Sequence, residues 1–270
     1  MEAAEDRSPA QSPSDKRTGT LERGLAILDL LGATGPIGAG HIAEALGLSR
    51  SATYRILGTL RDFGYVEWDG AERVVLGFQT IQLGMTALNA LDPVAVAHAH
   101  LRDLARELGE SALLAIRDGD EMVYVASEQA GDHSITMRPL LGVRRRMHST
   151  SLGKAYLAAL PLDEADAVVD RLELTAATPN TITDPARLRR ELDTIRVQGH
   201  AIDDVENEPG VVCFGAAVRD HRGRPVCAIS VAGPEQRMRV KGEKAASLVV
   251  EHALAISRRL GYAGTTPTRR

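Results

Sequence analysis

The segment Gly40–Val74 constrains the fold of this chain most, because it combines two short helical patterns, a tight turn and a hairpin. Apolar residues at helical spacing stop at Gly47, and Ser49 is a suitable N-cap for a second helix, predicted over Arg50–Phe63. A short turn containing Gly between two such helices is typical of a helix-turn-helix. We therefore predict this motif near the start of the chain.

The polar side of the second helix is rich in hydrogen-bond donors, and no acidic residue occurs between Ser49 and Leu60. A basic helix that fits the major groove indicates DNA recognition, although a solvated helix of an all-α domain is the simpler alternative. The following hairpin favours DNA binding, because a helix-turn-helix with a two-stranded wing is a narrower pattern. The predicted DNA contacts are Arg50, Ser51, Thr53, Tyr54, Arg55 and, in the wing, Arg73.

Composition limits how such a protein would bind DNA. The 270 residues are enough for two domains, and a hydrophobic content of 44% is enough for each domain to have a hydrophobic core. The formal net charge of −4 shows that the chain is basic only locally, whereas DNA-binding proteins usually carry a basic footprint. Binding by one copy should be weak, so we expect a homodimer or homotetramer as the working unit.

Cysteine usage and hydropathy indicate a cytoplasmic protein with neither a metal nor another cofactor. Cys213 and Cys227 form no C-x-x-C motif, which is consistent with a reducing compartment. No apolar run approaches the ~18–20 residues needed to span a bilayer, and the N-terminus is polar rather than signal-like.

The rest of the chain reads as a linker helix followed by an α+β domain. The linker helix is predicted over Phe78–Leu91; beyond Pro93, helical segments alternate with strand patterns, including one at Ser134–Leu140 and hairpins typical of an antiparallel sheet. The predicted division is a disordered tail (1–19), a winged helix-turn-helix domain (20–77), the linker helix (78–92), the second domain (93–262) and a disordered tail (263–270).

Several motifs, taken in order, resemble the IclR family of bacterial transcription regulators, the isocitrate lyase regulator type. The motifs are Arg23–Leu28, Ile42–Ser51 and Gly64–Val66 in the first domain, and Met147–Ala155, Gly199–Glu206, Gly210–Cys213 and Ile229–Pro234 in the second. The resemblance implies a GAF-like effector-binding domain with an antiparallel sheet, and assembly as dimers or tetramers. It also implies control of a metabolic operon, for which we expect repression through a palindromic operator.

The resemblance also implies an effector site formed by the backbone N–H groups of Ser151 and Leu152 and the side chains of Asp203, Cys213 and Ser230. Ser151 opens a predicted helix, and free N–H groups at a helix N-terminus bind anions. The second domain has few aromatic side chains for stacking on a planar ligand, which favours a small aliphatic or sugar acid as the effector.

Some residues of the second domain also fit other functions. Ser151–Lys154 matches the S-x-x-K acylation motif, but its S-D-N and K-T-G partners do not occur. Cys213 with His148 and Asp203 raises a hydrolase-like enzyme as the alternative function, although a lone Cys on an apolar strand is usually a packed core residue. An architectural DNA binder without a ligand is a third class. We interpret Arg144–Arg146 as a solvated strand end, with guidance of an acidic effector as the alternative. We interpret His148 as a residue that holds the strand-to-helix loop by a hydrogen bond, with direct ligand contact as the alternative.

Overall fold

The computed structural model describes residues 19–89, 92–129 and 140–264, and the chain divides into two compact units, 1–90 and 91–270. Most of both predicted tails and most of the predicted strand Ser134–Leu140 lie outside the described residues. Leu140 itself is described and is not in a strand.

The N-terminal unit has the predicted order of a helix-turn-helix followed by a hairpin and a further helix. Its elements are α1 (Thr20–Thr34), β1 (Ile37–Gly38), α2 (Ala39–Ala45), α3 (Arg50–Asp62), β2 (Val66–Trp68), β3 (Arg73–Leu76) and α4 (Phe78–Asn89).

The turn between α2 and α3 forms for the reasons read from the sequence. Gly47 has a φ of 62°, in the left-handed region that favours glycine, and the Ser49 hydroxyl accepts a hydrogen bond of 3.3 Å from the Ala52 N–H. The apolar sides of the helices meet in one core, where Ile42 and Leu57 are fully buried. Packing therefore fixes which side of α3 faces outward.

The wing contains a strand that the sequence did not predict. β1 pairs antiparallel with β3, which gives a three-stranded sheet in the order β1-β3-β2. Val66 and Val74 turn their side chains into the core of this unit. β1 has two residues, too few to show the alternation of apolar and polar side chains by which strands are recognised.

The C-terminal unit is an α+β domain, as predicted. Its elements are α5 (Pro93–Leu108), β4 (Ser111–Asp118), β5 (Glu121–Glu128), β6 (Arg144–Arg146), α6 (Ser151–Ala159), α7 (Leu162–Arg171), α8 (Pro185–Gln198), β7 (Ala201–Asp204), β8 (Val211–Arg219), β9 (Pro225–Pro234) and α9 (Glu235–Arg259). The six strands form one antiparallel sheet in the order β6-β5-β4-β9-β8-β7.

Helices cover both faces of this sheet, because its central strands are apolar on both sides. Successive side chains of a strand point to opposite faces. Ala112 and Leu114 of β4 accordingly pack in the core with α5 and α9, whereas Leu113 and Ala115 pack in the core with α6, α7 and α8. The result is a three-layer unit with the sheet in the middle.

Helix α6 lies unusually close to its neighbours, and two glycines permit this. A Cβ on Gly153 would lie 2.3 Å from the Cα and the carbonyl oxygen of Met147, and a Cβ on Gly215 would lie 2.8 Å from the backbone of Ser151. The first turn of α6 therefore rests directly on the backbone of β8. In the described ranges, no helix is both long and apolar enough to cross a membrane.

We predict that Gly153→Ala lowers the free energy of unfolding by about 3 kcal/mol, because the added methyl group would overlap backbone atoms that cannot move independently. Chemical denaturation measures the change. Gly242→Ala is the matched control, since a Cβ on this glycine of α9 would meet Phe214 at 3.5 Å, an ordinary contact. Equal stability of the Gly153 variant and the wild type would contradict the proposed close packing.

Candidate functional site

The outer side of α3 is a polar, basic surface. Arg50, Ser51, Tyr54 and Arg55 are all exposed, while Ile56 and Leu57 anchor the opposite side of the helix in the core. Asp62, at the last position of α3, is its only acidic residue, and its carboxylate lies 3.5 Å from the Arg61 guanidinium. Donors spaced along one helix side can reach base edges and phosphates in the major groove.

Two other predicted DNA contacts, Thr53 and Arg73, do not belong to this exposed side of α3. Thr53 is fully buried, and its hydroxyl donates a hydrogen bond of 3.1 Å to the carbonyl oxygen of Ser49. Thr53 therefore supports the helix from inside and has no access to DNA, so its predicted contact is corrected. Arg73 is exposed in the wing, but its guanidinium lies 2.7 Å from the Asp69 carboxylate. A phosphate would have to compete with that carboxylate.

A second candidate site is a cavity of about 340 Å³ in the C-terminal unit. It lies at the N-terminus of α6 and is bordered by β4 to β9. All five residues of the predicted effector site line this one cavity: Ser151, Leu152, Asp203, Cys213 and Ser230. They come from α6, β7, β8 and β9, so only the tertiary fold brings them together.

The first turn of α6 presents two free amides to this cavity. The Thr150 hydroxyl caps the helix by accepting a hydrogen bond of 3.1 Å from the Gly153 N–H. Among the described residues, the Ser151 and Leu152 N–H groups form no hydrogen bond. Unpaired N–H groups and the helix dipole together favour an anion at this position.

Asp203 is a buried carboxyl group held by the loop that follows β7. Its Oδ1 accepts hydrogen bonds from the N–H groups of Glu206 (2.8 Å) and Asn207 (3.2 Å). Burial raises the pKa of Asp203 to about 7, and the nearby Glu206 carboxylate adds to the rise, while the two amides oppose it. Asp203 can therefore be protonated near neutral pH, when its hydroxyl could donate to a ligand oxygen.

The same loop contains a backbone conformation that is rare for its residue type. Val205 has a φ of 59°, in the left-handed region that β-branched side chains avoid. This conformation directs the next two amides toward Asp203. The loop is further held by Lys154, which is fully buried and whose Nζ lies 2.5 Å from Oε1 of Glu206.

These contacts argue against the catalytic alternatives. The Lys154 ammonium group forms an ion pair with the Glu206 carboxylate, so it is not available as a general base for Ser151. Burial, with Asp203 nearby, holds the pKa of the Cys213 thiol well above its ordinary value, whereas a nucleophilic cysteine needs a lowered pKa. His148 is buried with Nε2 3.1 Å from the carbonyl oxygen of Thr175, which confirms the predicted loop-holding hydrogen bond. No group of three or more potential metal ligands occurs among the described residues.

Tyr124 of β5 and Arg145 of β6 also line the cavity and were not among the predicted effector residues, although the run that contains Arg145 was weighed as a guide for an acidic effector. The Arg145 guanidinium carbon lies 5.7 Å from the centre of the Tyr124 ring, and burial raises the pKa of Tyr124 to about 12. Tyr124 lies on a predicted strand, but nothing local shows which face meets the cavity. The Arg144–Arg146 run, interpreted from the sequence as a solvated strand end, forms the strand β6, in which Arg144 and Arg146 are exposed and Arg145 is half-buried.

The chain matches two models of one protein family. Residues 20–70 match the IclR helix-turn-helix domain, and residues 85–258 match the bacterial transcriptional regulator IclR C-terminal domain. The transcriptional repressor IclR of Escherichia coli is 30% identical over 87% of this chain and 88% of its own. The transcriptional repressor AllR of Klebsiella pneumoniae is 34% identical over 86% of each chain. The crystal structure of Pseudomonas aeruginosa HmgR is 29% identical, with a TM-score of 0.79, over 91% of this chain and 99% of that one.

The raised pKa of Asp203 predicts a pH dependence of stability. The ordinary pKa is 3.8 and the folded-state pKa is about 7, so between these values the folded protein holds a proton that unfolding releases. The free energy of unfolding therefore falls as pH rises through this window. From pH 5 to pH 8, the free energy of unfolding of the wild type should fall by about 2–3 kcal/mol more than that of Asp203→Asn. Urea denaturation of both proteins at both pH values measures this difference. Parallel profiles for the two proteins would show that Asp203 keeps an ordinary pKa.

Proposed function

Because the chain belongs to the IclR family of bacterial transcriptional regulators, we propose that it is a ligand-responsive repressor of a metabolic operon. The family consists of DNA-binding regulators and not of enzymes, so the hydrolase alternative is set aside. Repression is favoured because relatives from two bacteria are named as repressors. A regulator of chromosomal genes acts in the bacterial cytoplasm.

The proposed division of labour is a DNA-binding domain (20–77), a linker helix (78–92) and an effector domain (93–262). The two compact units and the two family matches support this division. Its exact limits are our proposal.

The exposed basic side of α3 carries the DNA-binding proposal. Arg50, Ser51, Tyr54 and Arg55 would contact bases and phosphates, since they share one outward side of a helix whose opposite side is locked in the core. Arg73 would contact the DNA backbone, where its guanidinium would pair with a phosphate in place of the Asp69 carboxylate. The net charge of −4 means that attraction to DNA would come from this surface and not from the chain as a whole.

The cavity at α6 carries the effector proposal. A carboxylate would accept hydrogen bonds from the Ser151 and Leu152 N–H groups. Asp203 and Ser230 would contact a hydroxyl or keto oxygen of the same molecule, with Cys213 packed beside it. These groups suit a small organic acid. The acid would alter repression only if it bound the DNA-competent and DNA-incompetent states with different affinity.

An apolar surface of the N-terminal unit supports self-association. A cavity of about 570 Å³ lies among α1, α3 and α4, and its lining includes Leu25, Leu60 and Leu83. Leu25 is 53% exposed and Leu83 is 49% exposed. We assign this surface to a second copy of the chain. A two-fold dimer would present two α3 helices to half-sites about 34 Å apart, which matches a palindromic operator.

The DNA-binding proposal predicts that Arg55→Ala weakens operator binding by about 1–3 kcal/mol, because a guanidinium–guanine contact would be lost. Footprinting on the DNA upstream of the protein's own gene would locate the site, and fluorescence anisotropy would measure the affinity. Arg61→Ala is the matched control: it removes the same charge from the same helix, but Arg61 lies at the far end beside Asp62. We expect its effect to stay within about 0.5 kcal/mol. Equal effects of the two variants would exclude Arg55 from base recognition.

The dimer proposal predicts that Leu25→Glu raises the dimer dissociation constant at least about tenfold, because an unpaired carboxylate would be buried at the interface. Sedimentation equilibrium measures this change. Val240→Glu provides the control, since Val240 is an exposed apolar residue of α9 in the other unit. An unchanged mass distribution of Leu25→Glu would place the interface elsewhere.

A further inference from the structure

The three arginines of β6 have different surroundings. Alternation along the strand places Arg144 and Arg146 on one face and Arg145 on the other. Arg144 is exposed and forms ion pairs with Asp118 and Glu121. Arg146 is also exposed, and its guanidinium lies 3.4 Å from the carbonyl oxygen of Thr175. Arg145 is half-buried and lines the cavity at α6.

Unlike Arg144, Arg145 has no acidic partner in the described part of the chain. Its guanidinium carbon lies 5.7 Å from the centre of the Tyr124 ring, its N–H groups interact with the Tyr124 side-chain oxygen, and it forms a long hydrogen bond of 3.5 Å to the carbonyl oxygen of Arg144. Among the described residues, no carboxylate lies within ion-pair distance of Arg145. A guanidinium has five N–H donors in a planar fork suited to a carboxylate, and the contacts with Tyr124 and Arg144 leave several of these donors without a partner among the described residues.

The cavity has an excess of anion-binding groups. Arg145 is the single cationic side chain among the described residues that line it, and the free amides of α6 lie on a separate element of the same wall. Of the two acids in the lining, Glu208 is exposed at the rim, and Asp203 has a pKa of about 7 and is partly neutral at physiological pH. One carboxylate at α6 would leave the half-buried Arg145 without a counterion, which is unfavourable.

Building on the effector site proposed above, we infer that Arg145 binds a second anionic group and that the effector is a short-chain dicarboxylate. One carboxylate would lie at the Ser151 and Leu152 amides and the other against the guanidinium of Arg145. The volume of about 340 Å³ is near the lower limit of small-molecule pockets, about 300–1,000 Å³, which suits a diacid of a few carbons. Arg145 is thus a specificity-determining residue that selects diacids over monoacids.

Calorimetry on the full-length protein tests this with matched ligands. The probes are succinate, glutarate and adipate, each compared with its half-amide, in which one carboxylate becomes a neutral group of nearly equal size; pyruvate and glycolate represent monoacids. The proteins are the wild type, Arg145→Gln, Arg145→Lys and the control Arg144→Gln, which removes an arginine whose partners lie outside the cavity.

The wild type should bind at least one diacid about tenfold or more tightly than its half-amide, since a charge-assisted hydrogen bond is lost in the latter. Arg145→Gln should bind that diacid as weakly as the half-amide while its half-amide affinity stays at the wild-type level, which also shows that the cavity is intact. Arg145→Lys should keep part of the preference, and Arg144→Gln should match the wild type.

Three results would overturn the inference. If the wild type binds pyruvate or glycolate as tightly as any diacid, the proposed effector site stands but the effector is not a dicarboxylate. An unchanged diacid preference in Arg145→Gln would remove the role of Arg145. Absence of binding for every diacid, half-amide and monoacid would overturn both this inference and the small-acid effector proposal.

Discussion

The C-terminal unit depends on how closely α6 approaches the sheet. Gly215 under Ser151 removes the side-chain atom that would otherwise separate the helix from β8, and Gly153 lets the backbone of Met147 in the preceding loop lie directly on the helix. Because of this contact, the free amides of the first turn reach the same cavity as Asp203, Cys213 and Ser230. A larger separation would bury those amides behind side chains or expose them to water. Packing and ligand recognition therefore rest on the same backbone contact.

Much of the N-terminal unit could be predicted from the sequence, because its determinants are local. The Ser49 cap, the left-handed Gly47 and the apolar spacing of α3 lie within a few residues of one another. Two features depend on distant partners and escaped prediction. β1 exists only because β3 lies beside it, and the buried orientation of Thr53 follows from packing of the whole helix.

The cavity was less predictable, since it is assembled from six strands and a helix. The family resemblance supplied Ser151, Leu152, Asp203, Cys213 and Ser230, and the fold brings them to one wall, although their role in binding is a prediction. For Arg145 the sequence offered only the alternative that the run Arg144–Arg146 guides an acidic effector, and nothing in the sequence singled out Tyr124 as a residue of the cavity. The identity of a side chain's neighbours across a sheet is set by register, and the register of β6 with β5 has no signal in a run of three arginines.

The left-handed conformation of Val205 has an evolutionary consequence. A β-branched residue there costs about 1–2 kcal/mol that glycine or asparagine would not incur, so random drift should tend to replace it. The two amides that this turn offers to Asp203 compensate for the cost only while the carboxyl group accepts them. A ligand that drew Asp203 away would remove that compensation, whereas Lys154 and the hydroxyl groups of Thr178 and Thr181 would still hold the turn through Glu206 and the carbonyl oxygens of Val205 and Glu206. The strain at Val205 is therefore offset by several contacts of the loop at once and not by Asp203 alone.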